Sequence, residues 1–219
     1  NPSISAADFN NDSYTDILLT GNINSSTGAT YLYQNNGSSS FTEVSSLHFS
    51  NLPTITNGAI AWADYNRDGY IDFAIAGKSA NGTKITQLYR NGGSANNWVF
   101  SQDVASITGI DNASISWADV NRDGYPDLFI EGKNANETPI SQLFLNNGES
   151  GKFSFTASSC NFVGLANGSS DWADYNRDGL IDLVLTGNDQ TTGSSNYYGQ
   201  TLIYTNLGNS NFSLLSGFN

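Results

Sequence analysis

An acidic loop recurs four times along this chain at a nearly constant interval. Asp8, Asn10, Asp12 and Asp16 make the first copy, and Asp64, Asn66, Asp68 and Asp72 the second. Asp119, Asn121, Asp123 and Asp127 make the third, and Asp174, Asn176, Asp178 and Asp182 the fourth. The first aspartates lie 56, 55 and 55 residues apart (64−8, 119−64, 174−119). A period of this size means a row of similar supersecondary units, each too small to bury its apolar faces without its neighbours.

The four residues occupy positions 1, 3, 5 and 9 of each loop. Oxygen side chains on alternate residues can fold inward around one hard cation, and calcium takes six to eight oxygen ligands. A fifth oxygen is expected from the backbone carbonyl at position 7: Tyr14, Tyr70, Tyr125 and Leu180. Position 6 must turn the chain back over the ion; it is Gly69, Gly124 and Gly179 in three copies and Ser13 in the first. An EF-hand would carry Glu at position 12, where the second copy has Ile75. The flanks read as strands, so the loop is expected to join two strands and to hold Ca²⁺ at four sites. All its ligands come from one continuous segment, which predicts bracing of the turn. Arg67, Arg122 and Arg177, at position 4, are expected to point into solvent.

Each repeat reads as four strands, in the first at residues 3–7, 16–20, 29–33 and 41–44. Asn35-Asn36-Gly37, Asn91-Gly92-Gly93, Asn146-Asn147-Gly148 and Asn206-Leu207-Gly208 are hairpin signals, because Asn and Gly tolerate positive φ. Each follows an aromatic residue: Tyr33, Tyr89, Phe144 or Tyr204. The expected fold is all-β: a β-propeller segment of four four-stranded blades of about 55 residues, with a calcium loop between strands 1 and 2. One domain spans 1–219, with blades near 1–50, 51–106, 107–160 and 161–219. Trp62, Trp117 and Trp172 recur once per blade and are expected in the core between blades. Trp98, Tyr197 and Tyr198 break the pattern and read as surface candidates, the tyrosines in the long connection 188–200. Asp103, outside any ligand spacing, is expected on a solvated strand edge.

Charge follows from the loops. The formal charge is −12, and the loops hold 12 of the 20 acids, three in each of four. Four Ca²⁺ would leave about −4. This balance argues against nucleic acid, which needs a basic face. No apolar run approaches the ~20 residues of a membrane helix. Cys160 is the only cysteine and His48 the only histidine, so neither has a partner for a nucleophilic or metal motif. Sequons at Asn24, Asn36, Asn81, Asn112, Asn136, Asn167 and Asn211, with Asn11 inside a loop, permit a glycoprotein.

Strand, loop, apolar strand and glycine together resemble the FG-GAP/VCBS repeats of integrin α-type propellers. Leu32-Tyr33-Gln34-Asn35-Asn36-Gly37 and Leu88-Tyr89-Arg90-Asn91-Gly92-Gly93 are more similar to the VCBS branch. The Phe-Gly and Gly-Ala-Pro signatures of FG-GAP are absent, and the first copy has Ala6 and Ser13 in place of Trp and Gly. The resemblance implies an extracellular propeller, secreted or on the cell surface, usually of about seven blades. It implies adhesion or recognition; the residues themselves, with His48 and Cys160 each alone, predict no catalysis, a propeller hydrolase or lyase being the less favoured alternative. The expected partners are glycans or proteins; the alternative is a structural subunit of a filament or surface coat, assembled from copies of itself. Four blades would form an open arc, completed by blades from adjoining sequence or a partner chain.

Overall fold

The computed structural model describes residues 2–22, 28–148, 153–189 and 198–215. Four antiparallel four-stranded sheets follow one another along the chain. Sheet 1 holds β1 (Ser3–Ala7), β2 (Asp16–Asn22), β3 (Gly28–Asn35) and β4 (Phe41–Glu43). Sheet 2 holds β5 (Ile55–Ala63), β6 (Asp72–Ser79), β7 (Lys84–Asn91) and β8 (Phe100–Asp103). Sheet 3 holds β9 (Asp111–Ala118), β10 (Asp127–Lys133), β11 (Pro139–Asn146) and β12 (Phe155–Ala157). Sheet 4 holds β13 (Ala166–Ala173), β14 (Asp182–Asp189), β15 (Tyr198–Asn206) and β16 (Phe212–Leu214). Each is a simple meander, so every acidic loop joins the first strand of its sheet to the second.

The inner strands β6 and β10 are buried on both faces, because their sheets have neighbours on both sides. That is why 73–76 and 128–130 read as unbroken apolar runs. β2, in an end sheet, alternates instead between buried and half-buried residues. The first strands of sheets 2, 3 and 4 each carry a bulge. Asn57, Asn112 and Asn167 sit beside them with φ of 50°, 49° and 58°. Such extra residues increase the local twist.

Cores form between sheets rather than within them. Phe9, Leu18 and Leu32 of sheet 1 meet Phe73, Ile75 and Tyr89 of sheet 2. Tyr65, Ala74 and Leu88 of sheet 2 meet Leu128, Ile130 and Phe144 of sheet 3. Val120, Phe129 and Leu143 of sheet 3 meet Leu183, Leu185 and Tyr204 of sheet 4. The recurring tryptophans pack on these same cores. Trp117 stacks on Tyr65 with centroids 5.9 Å apart and donates its indole N–H to the Ala61 carbonyl at 3.2 Å. Trp172 donates to Ser116 Oγ at 2.9 Å. An ion pair adds to the junction of sheets 2 and 3: Lys84 Nζ lies 2.9 Å from Asp111 and 2.7 Å from Glu137.

Two expectations fail here. Trp98 is half-buried: its ring meets Tyr70 edge-on at 5.5 Å and packs on the core between sheets 1 and 2. Asp103 is not on a solvated edge. It accepts the hydroxyl proton of fully buried Tyr65 at 2.6 Å and pairs with Arg90 at 3.4 Å. Tyr197 and the side chain of Tyr198 lie outside the described residues.

Candidate metal-binding loops

The four loops share one hydrogen-bonded geometry. In the second, Asp64 accepts the N–H of Asp68 at 3.1 Å and of Gly69 at 2.9 Å, one on each carboxylate oxygen. Asn66 Oδ1 also accepts the Asp68 N–H, at 2.9 Å, and Asp68 Oδ1 accepts that of Tyr70 at 2.9 Å. The same bonds recur around Asp8, Asn10 and Asp12. They recur again around Asp119, Asn121 and Asp123 and around Asp174, Asn176 and Asp178. Such bonds are possible because position 6 is left-handed: φ is 88°, 89° and 85° at Gly69, Gly124 and Gly179. Ser13 takes the same conformation at 71°, so the first loop keeps its shape without glycine.

The position 9 aspartate is the hub between loop and sheet. Asp72 is fully buried, and its Oδ2 accepts the N–H of Tyr65 at 3.2 Å and its Oδ1 that of Asn91 at 2.8 Å. Asp16, Asp127 and Asp182 repeat both bonds. Burial, with repulsion from Asp68 and Asp64, pushes the Asp72 carboxyl up to about 8, although the Asn91 and Tyr65 N–H groups pull the other way. The same causes carry Asp127 to about 7 and raise Asp16.

The donor set fits a hard cation: three carboxylates, one amide oxygen and the position 7 carbonyl, with the carboxylates mutually repelling. Among the described residues, no Lys or Arg forms an ion pair with a loop carboxylate. Nor do three acidic, His or Cys side chains converge into one cluster among them. Loop amides hold positions 1 and 5, while Asp72 leans toward the sheet; each carboxylate oxygen so held keeps a second lone pair.

Arg67, Arg122 and Arg177 are exposed, as expected, and two of them also touch the neighbouring loop. Arg67 lies over the Tyr125 ring of the next loop, 5.3 Å from its centroid, and Arg122 reaches Gly179 of the fourth. Asn11 spans loops one and two, donating to the Gly69 carbonyl at 3.3 Å. In the first three loops position 4 thus touches the next loop.

The segments that open at Asn35, Asn91, Asn146 and Asn206 join the third and fourth strands of each sheet, as expected. In three of them the glycine takes the positive φ (Gly37, Gly93 and Gly208) and the first asparagine does not. The first asparagine instead bridges. Asn91 Nδ2 donates to the Ile71 carbonyl at 3.2 Å and, across the sheet boundary, to that of Phe9 at 2.8 Å. Asn146 reaches Tyr65 and Asn206 reaches Val120 in the same way. The signal was present in the sequence: Asn91 and Asn146 each follow position 9 by 19 residues (91−72, 146−127). Position 7 also has a side-chain role. A Cβ on Gly37, Gly93 or Gly148 would fall within 2.4 Å of the ring of Tyr14, Tyr70 or Tyr125.

Elsewhere, equivalent clefts of 460, 310 and 410 Å³ open beside the third strands of sheets 1, 2 and 3. Cys160, half-buried, donates its Sγ proton to the Ser210 carbonyl at 2.9 Å, and His48 lies in a short 3₁₀ turn after sheet 1. No helix among the described residues is long and apolar enough to cross a membrane. Nothing among curated proteins matches the chain. Residues 8–75 and 64–130, together more than half of it, match the FG-GAP-like repeat. The chain belongs to the FG-GAP-like repeat family.

Proposed function

We propose that this chain is a calcium-braced recognition module of propeller type that works outside the cell and binds glycans or proteins without catalysing a reaction. The observation that carries the reading is one loop geometry built four times, its carboxylates held by backbone amides and unneutralised by any described basic side chain. In the second loop Asp64, Asn66, Asp68 and Asp72 would hold the ion with the Tyr70 carbonyl; the other loops use the matching residues. Bound Ca²⁺ would supply the positive charge that offsets carboxylate repulsion. Each loop then locks the first strand of its sheet to the second, and the position 9 aspartate carries that rigidity to the end of the third. Millimolar extracellular calcium keeps sites of this modest ligand charge filled. The clefts beside the third strands offer polar side chains and apolar walls, which suits sugar or peptide ligands.

Calcium removal tests the bracing. Excess EDTA should lower the melting temperature and added Ca²⁺ should restore it; an unchanged curve, with no metal by elemental analysis, refutes it. Glycan-array screening of the soluble chain tests recognition.

A further inference from the structure

The sequons are spread along the chain, and the fold treats them differently. An N-linked sugar is carried on Nδ2 of the asparagine. Attached before or after folding, it persists on the native molecule only where that atom faces solvent and is not needed as a donor.

Asn81 and Asn136 each sit 17 residues after the first aspartate of their loop (81−64, 136−119), at the hairpins joining the second strand to the third in sheets 2 and 3. The two hairpins close alike. The Ser79 N–H donates to the Thr83 carbonyl at 2.9 Å, and the Asn134 N–H to the Thr138 carbonyl at 3.0 Å. Asn81, Gly82 and Thr83 are all exposed, as are Asn136, Glu137 and Thr138. Asn81 is held by its oxygen: Oδ1 accepts the Ser79 hydroxyl at 2.7 Å and the Thr83 N–H at 3.0 Å. This Asx turn sets the amide beside the sequon's own threonine, and Nδ2 donates to none of the described residues. The Asn136 side chain bonds to none of them either; its backbone N–H is taken by Asn134 Oδ1 at 2.9 Å.

The remaining described sequons are engaged in the fold. Asn11 Nδ2 links loops one and two through the Gly69 carbonyl. Asn36 Nδ2 donates to Thr42 Oγ1 at 2.9 Å and to Ser40 Oγ at 3.3 Å. Asn112 and Asn167 lie within β9 and β13, and the serine of each sequon is paired into its sheet, Ser114 opposite Glu131 and Ser169 opposite Thr186. Asn211 Nδ2 donates to the Asn209 carbonyl at 3.3 Å, and its sequon runs through Phe212, which packs on the core between sheets 3 and 4. Asn24 lies outside the described residues.

We propose that Asn81 and Asn136 are where this chain carries N-linked oligosaccharides. The transfer joins Nδ2 to the anomeric carbon of a lipid-diphosphate-linked oligosaccharide. The bond from that carbon to the diphosphate oxygen breaks, and the proton lost by Nδ2 balances the departing lipid diphosphate. In a meander the second turn lies at the end of the sheet opposite the first and third. Both sugars therefore stand at the end away from the acidic loops and leave those loops uncovered. The assignment rests on the extracellular reading, because such a donor is met on the secretory route.

Secretion of the full chain from cultured eukaryotic cells, behind a cleavable signal, tests it. Secreted protein with a cooperative melting curve is treated with peptide N-glycosidase in heavy-oxygen water, and the labelled sites are mapped by mass spectrometry. Asn81 and Asn136 should be occupied, and Asn11, Asn36, Asn112, Asn167 and Asn211 bare. Asn81→Gln and Asn136→Gln should each lose one glycan, read as a step in gel mobility. Thr83→Ala should lose the glycan at Asn81, and Thr83→Ser should keep it. Folded, secreted protein that is bare at Asn81 or Asn136, or occupied at Asn11 or Asn36, overturns the assignment and leaves the extracellular reading standing. Retention of a folded chain inside the secretory organelles counts against that reading instead, and the same mapping applied there still decides the sites.

Discussion

Glu131 is fully buried on β10, and neither of its carboxyl oxygens has a well-formed hydrogen bond among the described residues. Burial pushes its pKa up to about 8, with the Gly168 backbone pulling the other way. The unfolded chain ionises near the ordinary value of 4.5. Between those two values the unfolded state has lost a proton that the folded state keeps. This group's contribution to stability is therefore full below pH 4.5 and is lost as pH rises through about 8. Glu131→Gln should raise the melting temperature at pH 8.5 far more than at pH 4.5, read as the difference between variant and wild-type curves. Asp103 offers a second case. Removing it strands the buried Tyr65 hydroxyl, so Asp103→Ala should cost about 1.5–3 kcal/mol in denaturant titration. A surface aspartate would change stability within about 0.5 kcal/mol.

At the element scale, loop and hairpin are one unit. The position 7 tyrosine lies on the hairpin glycine, and the first hairpin asparagine binds the position 9 aspartate through its N–H. Gly93→Ala meets both a left-handed φ of 64° and the Tyr70 ring. It should destabilise by about 2 kcal/mol or more in urea unfolding. The opposite change is available in the first loop. Ser13 holds φ at 71°, so Ser13→Gly should stabilise by about 1 kcal/mol and leave the loop unchanged. The strands themselves were legible because their residue patterns are local. The asparagine bridges were not legible, because Asn-Gly marks the hairpin locally and a cross-sheet bond is invisible to local rules.

The whole molecule is a row in which each sheet packs on the next. Stability in such arrays is close to a sum of unit and nearest-neighbour terms, so the ends should open first. Native-state hydrogen exchange should therefore protect β6 and β10 more than β2 and β14 in dilute chain. Uniform protection across all four sheets would contradict this picture.

The repeat period, the strand pattern and the acidic spacing determined the sheets and the four loops, because these depend on residues close together in the chain. Which polar groups meet across a boundary was decided only by tertiary structure. Arg67, exposed as expected, also lies over the Tyr125 ring of sheet 3, and Asp103, within sheet 2, takes the hydroxyl of Tyr65 from 38 residues away. Asn91, which opens a hairpin as expected, also donates to the Phe9 carbonyl of sheet 1. A partner across a sheet boundary is set by the packing of sheets some 55 residues apart, and no window shorter than the repeat contains that information.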